Sequence, residues 1–356
     1  MREALAAYRG KRVLVTGHTG FKGSWLTFLL RELGAEVMGC ALPPASNPSH
    51  FEMLGLAADI THTVVDVRDA AGVHAAFQSF QPEYVFHLAA QALVRPSYDE
   101  PVVTFAVNVL GSVHVLEAVR ACPAVRSLVY VTSDKCYENV EWVWGYREND
   151  QLGGHDPYSA SKAAAEMAFS AYARSFFSSR GGLGAATARA GNVIGGGDWA
   201  KDRIIPDCVR AAEAGTRLAL RHPHATRPWQ HVLEPLGGYL LLGAQLRAHP
   251  ARYGGSWNFG PSTQSVRTVN EVAAVVAERL GAAPPEASPV PPGDRHEARL
   301  LQLNCDKAHQ LLDWTPRWSV DRTLAATADW YKAVLEGADA TAVTRAQLRD
   351  YFEELR

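Results

Sequence analysis

Gly17-His18-Thr19-Gly20-Phe21-Lys22-Gly23 follows the apolar run Val13-Leu14-Val15 and leads straight into Ser24-Trp25-Leu26-Thr27-Phe28-Leu29-Leu30. The three pieces read as strand, tight turn and helix. Glycines spaced G-x-x-G-x-x-G let the backbone approach a pyrophosphate without Cβ clashes, while the first helical turn aims free N–H groups at the anion. A glycine-rich heptad alone is often just a turn; the strand before it and the helix after it make it a dinucleotide-binding loop. One customary companion is missing. An acid at the end of the second strand usually holds the ribose diol. Here that position reads Gly39-Cys40-Ala41-Leu42-Pro43-Pro44, with neither acid nor arginine, so these residues leave NAD and NADP open. Asp66-Val67, after the third strand, suit the adenine amino group through a carboxylate or backbone atom.

Working outward, apolar runs at 13–15, 36–41, 63–65, 84–88, 127–132 and 185–188 alternate with helical stretches at 24–33, 70–80, 102–121 and 158–177. Continuous apolar strands alternating with helices predict an α/β fold, a Rossmann-type doubly wound parallel sheet covered on both faces. After about residue 190 the rhythm breaks. Gly195-Gly196-Gly197 and the segment 221–228 are loop chemistry, and two amphipathic helices are expected at 233–248 and 269–280. A proline-rich connection spans 284–292, 306–335 is helical apart from a break at Pro316, and Trp257-Asn258-Phe259 reads as the last strand of the sheet. The expected division is a dinucleotide-binding part over 1–190. Residues 191–356 then form mainly a smaller α/β substrate lobe, with parts returning to the sheet.

Two further motifs carry chemistry. Tyr158 and Lys162 lie one helical turn apart after Asp156-Pro157, so both side chains leave the same helix face. A nearby ammonium favours the phenolate, which can take a hydroxyl proton as hydride leaves the same carbon. Thr132-Ser133-Asp134-Lys135 ends the fifth strand with a hydroxyl, a carboxyl and an amine in succession. Alone it is as well explained by a turn; beside Tyr158 and Lys162 it reads as an acid/base set. His87-Leu88-Ala89-Ala90-Gln91 closes the fourth strand, where small alanines permit close approach to a cofactor. Asn192, after the sixth strand, suits a phosphate, and the guanidinium forks of Arg203, Arg227 and Arg295 suit a diphosphate. Trp142, Trp144 and Trp229 can stack on a base but are more often core.

Composition narrows the classes. The chain has 356 residues, 47% hydrophobic, with a net charge of −2 and no basic stripe for nucleic acid. No run of about 18 apolar residues suggests a membrane span. Met1-Arg2-Glu3-Ala4 lacks the apolar core of a signal peptide. The five cysteines are scattered, with no C-x-x-C pair, so neither a metal site nor a disulfide framework is expected, and a cytoplasmic setting is.

GHTGFKGSWL at 17–26, TSDKCYEN at 132–139 and RAGNVIGGGDWAKDRIIPD at 189–207 resemble the extended short-chain dehydrogenase/reductase family over nearly the whole chain. Within it the strings are most similar to the CDP-glucose 4,6-dehydratase branch. The dTDP-glucose branch carries glutamate at the position of Lys135, and the family's epimerases lack the Asp134–Lys135 pair. The resemblance implies NAD as cofactor, held by Gly17, Thr19, Gly20, Phe21, Lys22, Gly23, Asp66, Val67, Leu88, Ala89, Ala90, Gln91, Asn108, Tyr158 and Lys162. It implies a nucleotide sugar bound by Gln91, Ser133, Asn192, Arg203, Arg227, His231 and Arg295. The implied reaction is redox-neutral. Tyr158, assisted by Lys162 and Ser133, takes the C4 hydroxyl proton as hydride leaves C4. Lys135, acting in its neutral form, then removes the C5 proton while Asp134 protonates the departing C6 hydroxyl, and hydride returns to C6. The resemblance also implies a homodimer through the helices 102–121 and 158–177, with a higher assembly open. Alternatives at this point are a dTDP- or GDP-sugar dehydratase, an NAD-dependent 4-epimerase, and a non-catalytic NAD sensor. The last predicts loss of Tyr158 or Lys162, and both are present.

Overall fold

Each short apolar run becomes a strand of one sheet. The computed structural model describes residues 1–262, 265–289 and 300–353. Seven parallel strands, β1 (Arg12–Thr16), β2 (Glu36–Ala41), β3 (Thr61–Val64), β4 (Tyr84–His87), β5 (Ser127–Val131), β6 (Gly184–Arg189) and the later β11 (Gly255–Asn258), lie in the order β11-β6-β5-β4-β1-β2-β3. The order reverses between β1 and β4, the switch point beside which an open parallel sheet binds its ligand. Strand period 2 sends Val13 and Val15 into one core and Leu14 into the other. The fold class therefore agrees with the sequence reading, and Trp257 and Asn258 lie in the edge strand beside β6.

The helices fill the two layers. One layer holds α1 (Arg2–Ala6) and α2 (Phe21–Glu32), with Trp25, Leu26, Leu29 and Leu30 fully buried; Gly34 then ends the helical stretch at φ +78°, which glycine tolerates. The short α3 (His50–Met53) follows β2, and α4 (Ala70–Phe80), capped by Asp69, covers the opposite face. The helical run after β4 comprises α5 (Val94–Asp99), α6 (Pro101–Phe105), a π-turn at Ala106–Gly111 and α7 (Ser112–Ala121). Its stretch Pro101–Ala121 has the length and a mean hydropathy of 1.7 that would suit a membrane span. In the fold it packs instead between α4 and α8 (Pro157–Tyr172), as part of the second layer.

Beyond β6 the chain builds a cover from α9 (Ile204–Glu213), α12 (Val269–Arg279) and α14 (Val320–Leu335) with small strand pairs. β7 (Val193–Ile194) pairs with β10 (Gln230–His231), β8 (Ala219–Leu220) with β13 (Glu286–Ala287), and β9 (Thr226–Pro228) with β12 (Val266–Thr268). The short α11 (Pro250–Tyr253) and α13 (Asp306–Leu312) pack beside β6 and β11 respectively. Six helices are absent from the sequence reading: α1, α3, α5, α9, α11 and α15 (Ala340–Tyr351). Pro206 disguised α9, yet it sits in the first turn, where a missing N–H costs nothing.

The helix α10 (Leu233–Ala248) corrects a second expectation. It is not amphipathic: Leu233 to Ala244 and Leu246 are buried all round, because α10 lies on β5 and β6 and is covered by α1. The Tyr8 hydroxyl, just after α1, donates to the Leu240 carbonyl at 2.6 Å. A helix buried on every side has no polar face for periodicity to reveal.

Candidate active site

Two adjoining cavities open at the strands' C-terminal ends. The first, about 350 Å³, is lined by the glycine loop, Ala41 to Pro43, Asp66, Val67, Leu88 to Ala90 and Lys162. Its floor fits a dinucleotide by shape. Gly17 has φ +74°, and a Cβ there would lie 2.7 Å from the Ala89 nitrogen and 2.9 Å from the Leu88 carbonyl carbon. A Cβ on Gly23 would overlap the Gly17 carbonyl, whereas Gly20 meets nothing closer than 3.4 Å, so its backbone is open to the cleft. Gly17→Ala is expected to destabilise the fold by about 1–3 kcal/mol from overpacking against backbone that cannot step aside. A chemical melt with a parallel NAD titration checks this; unchanged stability and affinity would refute it.

At the adenine end, the Asp66 carboxylate is held by Arg68, with Nη2 donating to Oδ2 at 2.6 Å, and that hydrogen bond keeps its carboxyl below the usual range. Val67 is buried and its carbonyl is in contact with His114 Nδ1 at 2.9 Å. Thr19 Oγ1 donates to the Leu42 carbonyl, tying the glycine loop to the chain after β2. Among the described lining residues of this wall, Ala41, Leu42, Pro43 and Ala45 carry no charge for a 2′-phosphate.

The second cavity, about 400 Å³, is lined by Ser133, Asp134, Lys135, Tyr158, Gly191, Asn192, Arg203, Arg227 and Trp229, with Leu93 to Pro96 opposite. Lys22, Ser133, Tyr158 and Arg203 border both cavities and so form the wall between them. Local structure explains their placement. Asp156 caps α8 by accepting from the Ser159 backbone N–H at 2.9 Å, and Pro157 occupies the first helical position. This start puts the buried Tyr158 on both cavities and the buried Lys162 on the first, with Lys162 Nζ 5.8 Å from the Tyr158 ring centre. Ser133 accepts from the Lys135 backbone N–H and donates to Asp134 Oδ1 at 3.0 Å.

Burial pushes the Tyr158 phenol up to about 12; the Ser133 hydroxyl and Arg203 pull it down, and Asp134 and Asp156 raise it. The protein's own charges therefore do not make a ready phenolate, contrary to what the Tyr158–Lys162 spacing suggests. Burial lowers Lys162 to about 8, against Cys136 and Glu166. Lys22 is likewise lowered to about 8, first by burial and then by Arg203. Arg203 donates to Asp198 at 2.9 Å, and this carboxylate raises its pKa.

The remaining expected site residues divide. Asn192, in the left-handed region at φ +51°, and Arg227 line the second cavity. Three others do not border either cavity. His231 is fully buried, packed near Trp25 and Trp318, with Nδ1 facing the Leu233 N–H. It supports the core under the cover rather than a ligand. Gln91 is spent internally: its amide donates to the Leu93 carbonyl and Thr104 and accepts from the Leu93 N–H. Asn108 bridges the Gln91 backbone and Ser161, whose hydroxyl donates to the Tyr158 carbonyl, so it positions α8 rather than lining the cleft. Arg295 lies outside the described residues. Of the tryptophans, Trp229 lines the second cavity, Trp142 stacks on Tyr146 and Trp144 is exposed. Leu93 to Pro96 and Asp198 were missed, because neither carries a local signal of its own. All five cysteines are free and buried, and the described residues contain no cluster suited to a metal ion.

A doubly wound sheet with a glycine loop at its switch point, Lys162 on the first cavity and Ser133 and Tyr158 on the wall it shares with a capped second one defines an extended short-chain dehydrogenase/reductase. Within that class the chain belongs to the GDP-mannose 4,6 dehydratase family, whose profile matches residues 14–327. It is 46% identical over 351 residues to the CDP-glucose 4,6-dehydratase of Salmonella typhimurium, covering 97% of each chain. The UDP-glucose 4-epimerase of Thermus thermophilus, solved in complex with NAD, superposes with a TM-score of 0.75 at 29% identity, covering 90% of this chain and 99% of that one. The UDP-glucose 4-epimerase of Thermotoga maritima, solved with UDP-glucose, gives a TM-score of 0.77 at 25% identity over 91% and 99%.

Proposed function

We propose that the chain is an NAD-dependent CDP-glucose 4,6-dehydratase, converting CDP-D-glucose to CDP-4-dehydro-6-deoxy-D-glucose and water. The observation that carries the reading is the shared wall: Ser133 and Tyr158 face both cavities, while Asp134 and Lys135 face only the second. The near-full-length relative supports CDP-glucose over other nucleotide sugars. The structural neighbour in complex with NAD supports that cofactor, as does the uncharged wall after β2.

NAD, when bound in the first cavity, supplies a hydride acceptor that later acts as donor. Gly17, Gly20 and Gly23 would hold its pyrophosphate against the start of α2, and Lys162, on the same cavity, would serve its nicotinamide end. Tyr158, acting as phenolate, takes the proton of the sugar's C4 hydroxyl and becomes the neutral phenol; the Ser133 hydroxyl, by hydrogen bonding to its oxygen, favours the phenolate before that transfer. The 4-keto group acidifies C5–H. Lys135 takes that proton, and Asp134 delivers one to the C6 hydroxyl, which leaves as water. Asn192, Arg203 and Arg227 suit the nucleotide diphosphate, since guanidinium forks match phosphate oxygens.

The test is isotopic. CDP-glucose deuterated at C4 should give product with deuterium in the C6 methyl group, read by mass spectrometry. A C4 epimer with no dehydration would favour an epimerase instead, and a methyl group free of label would remove the internal hydride transfer. The exposed Val102, Phe105 and Leu110 on the long helix and Met167 and Phe176 in and just after α8 support a homodimer through these helices. Five unpaired thiols support a reducing, cytoplasmic setting.

A further inference from the structure

Asp134 and Gly191 are far apart in sequence and touch in space. Asp134 begins the short 3-10 turn after β5 and is buried, with Oδ1 accepting from Ser133. Gly191 follows β6 and lines the same cavity. A Cβ built on Gly191 would overlap Cγ and both carboxylate oxygens of Asp134. We propose that Gly191 is a positioning residue: its missing side chain is the seat of the Asp134 carboxylate. This rests on the acid role given to Asp134 above.

The packing decides which partner would yield to a larger residue. The backbone at 191–192 is pinned. Gln230 Nε2 donates to the Gly191 carbonyl at 3.0 Å and to the Phe259 carbonyl at 3.0 Å, and the Gln230 N–H donates to the Asn192 carbonyl at 3.2 Å. The next two residues pair with β10. The Asp134 carboxylate, by contrast, is the rotatable end of a short side chain. Gly191 is not in the left-handed region, so alanine there adds no backbone strain. A methyl group at 191 therefore swings the carboxylate out of its seat and off Ser133, while the fold stays intact. The neighbouring Gly195 differs, facing Val232 and Phe21 rather than a titratable group.

The experiment compares Gly191→Ala, Asp134→Asn and the double variant. Gly191→Ala should keep the melting temperature and the KM for CDP-glucose and lose roughly 10²-fold or more in turnover, the contribution of a placed general acid. Reduced cofactor should accumulate on mixing with CDP-glucose, because C4 oxidation proceeds and elimination stalls. The double variant should be no slower than Asp134→Asn, since residues acting through one group are not additive. A crystal structure of Gly191→Ala should show the carboxylate rotated. Wild-type turnover of Gly191→Ala beside a slow Asp134→Asn would overturn the proposal, as would fully multiplicative losses. Wild-type turnover of Asp134→Asn would instead remove the acid reading; the seat is then judged by the crystal structure, where an unmoved carboxylate overturns it.

Discussion

Tyr158→Phe is expected to lower kcat by roughly 10²–10⁴-fold, the usual weight of a positioned acid/base group, with the KM for CDP-glucose nearly retained. The substitution removes one oxygen and keeps the ring that packs at the start of α8. The phenol sits where burial holds its proton, at about 12, with Ser133 and Arg203 as the groups that lower it. Positive charge close by is therefore at a premium, and two lysines beside the site, Lys162 and Lys22, both titrate near 8. A lysine lowered to that value loses its proton as pH rises through it. Wild-type kcat should accordingly decline above about pH 8 even though phenolate formation is favoured there. Lys162→Arg should weaken that alkaline decline, because a guanidinium stays charged, while Lys22 still titrates near 8. Steady-state rates across pH check both. A Tyr158→Phe enzyme within a few-fold of wild type would rule out the phenol as the base.

The second large effect concerns stability. Arg189 in β6 and Glu166 in α8 form an ion pair at 2.7 Å, both side chains 2% exposed. Arg189 also donates to the Tyr137 hydroxyl and the Glu148 carbonyl, and Glu166 accepts from Thr132 and Thr187. The network ties β5, β6 and α8 together beneath the site. Arg189→Met leaves a buried carboxylate without its cation and should cost about 3–5 kcal/mol of unfolding free energy, read as a lower urea midpoint at unchanged slope. A pH signature accompanies it. Burial alone would raise the Glu166 pKa, but Arg189 and the hydroxyl donors outweigh burial and hold it below its usual value. A depressed carboxyl contributes stability that is complete above its unfolded value and is lost as pH falls through the folded value. The wild type should weaken on acidification through that range, and Arg189→Met should lack this component. An unchanged midpoint would show that the pair is not a stabilising tie.

The same pair marks where reading the chain stops. The glycine loop, the α4 boundaries and the Tyr158–Lys162 spacing were legible because each is set within a few residues, by periodicity, a cap or a φ requirement. Asp156-Pro157 announced the start of α8 for that reason. Nothing in its helix position singles out Glu166, whose partner lies 23 residues away on another element. His231 and Gln91 mislead in the opposite direction. They carry the right functional groups, but Gln91 spends its amide on neighbouring groups and His231 is buried in the core, and only packing decides that. The helix α15 was equally hidden, although Asp339 caps it and Ala340, Thr344, Leu348 and Tyr351 recur on one face.

Short-range spacing in the chain was enough to establish a parallel α/β sheet, a dinucleotide loop and a hydroxyl–carboxyl–amine set at one strand end. Folding alone brought Gly191 against Asp134, closed Arg189 on Glu166 and set one wall between two cavities. These contacts join residues from different strand ends, and their energies come from burial and charge at distances that no local periodicity encodes.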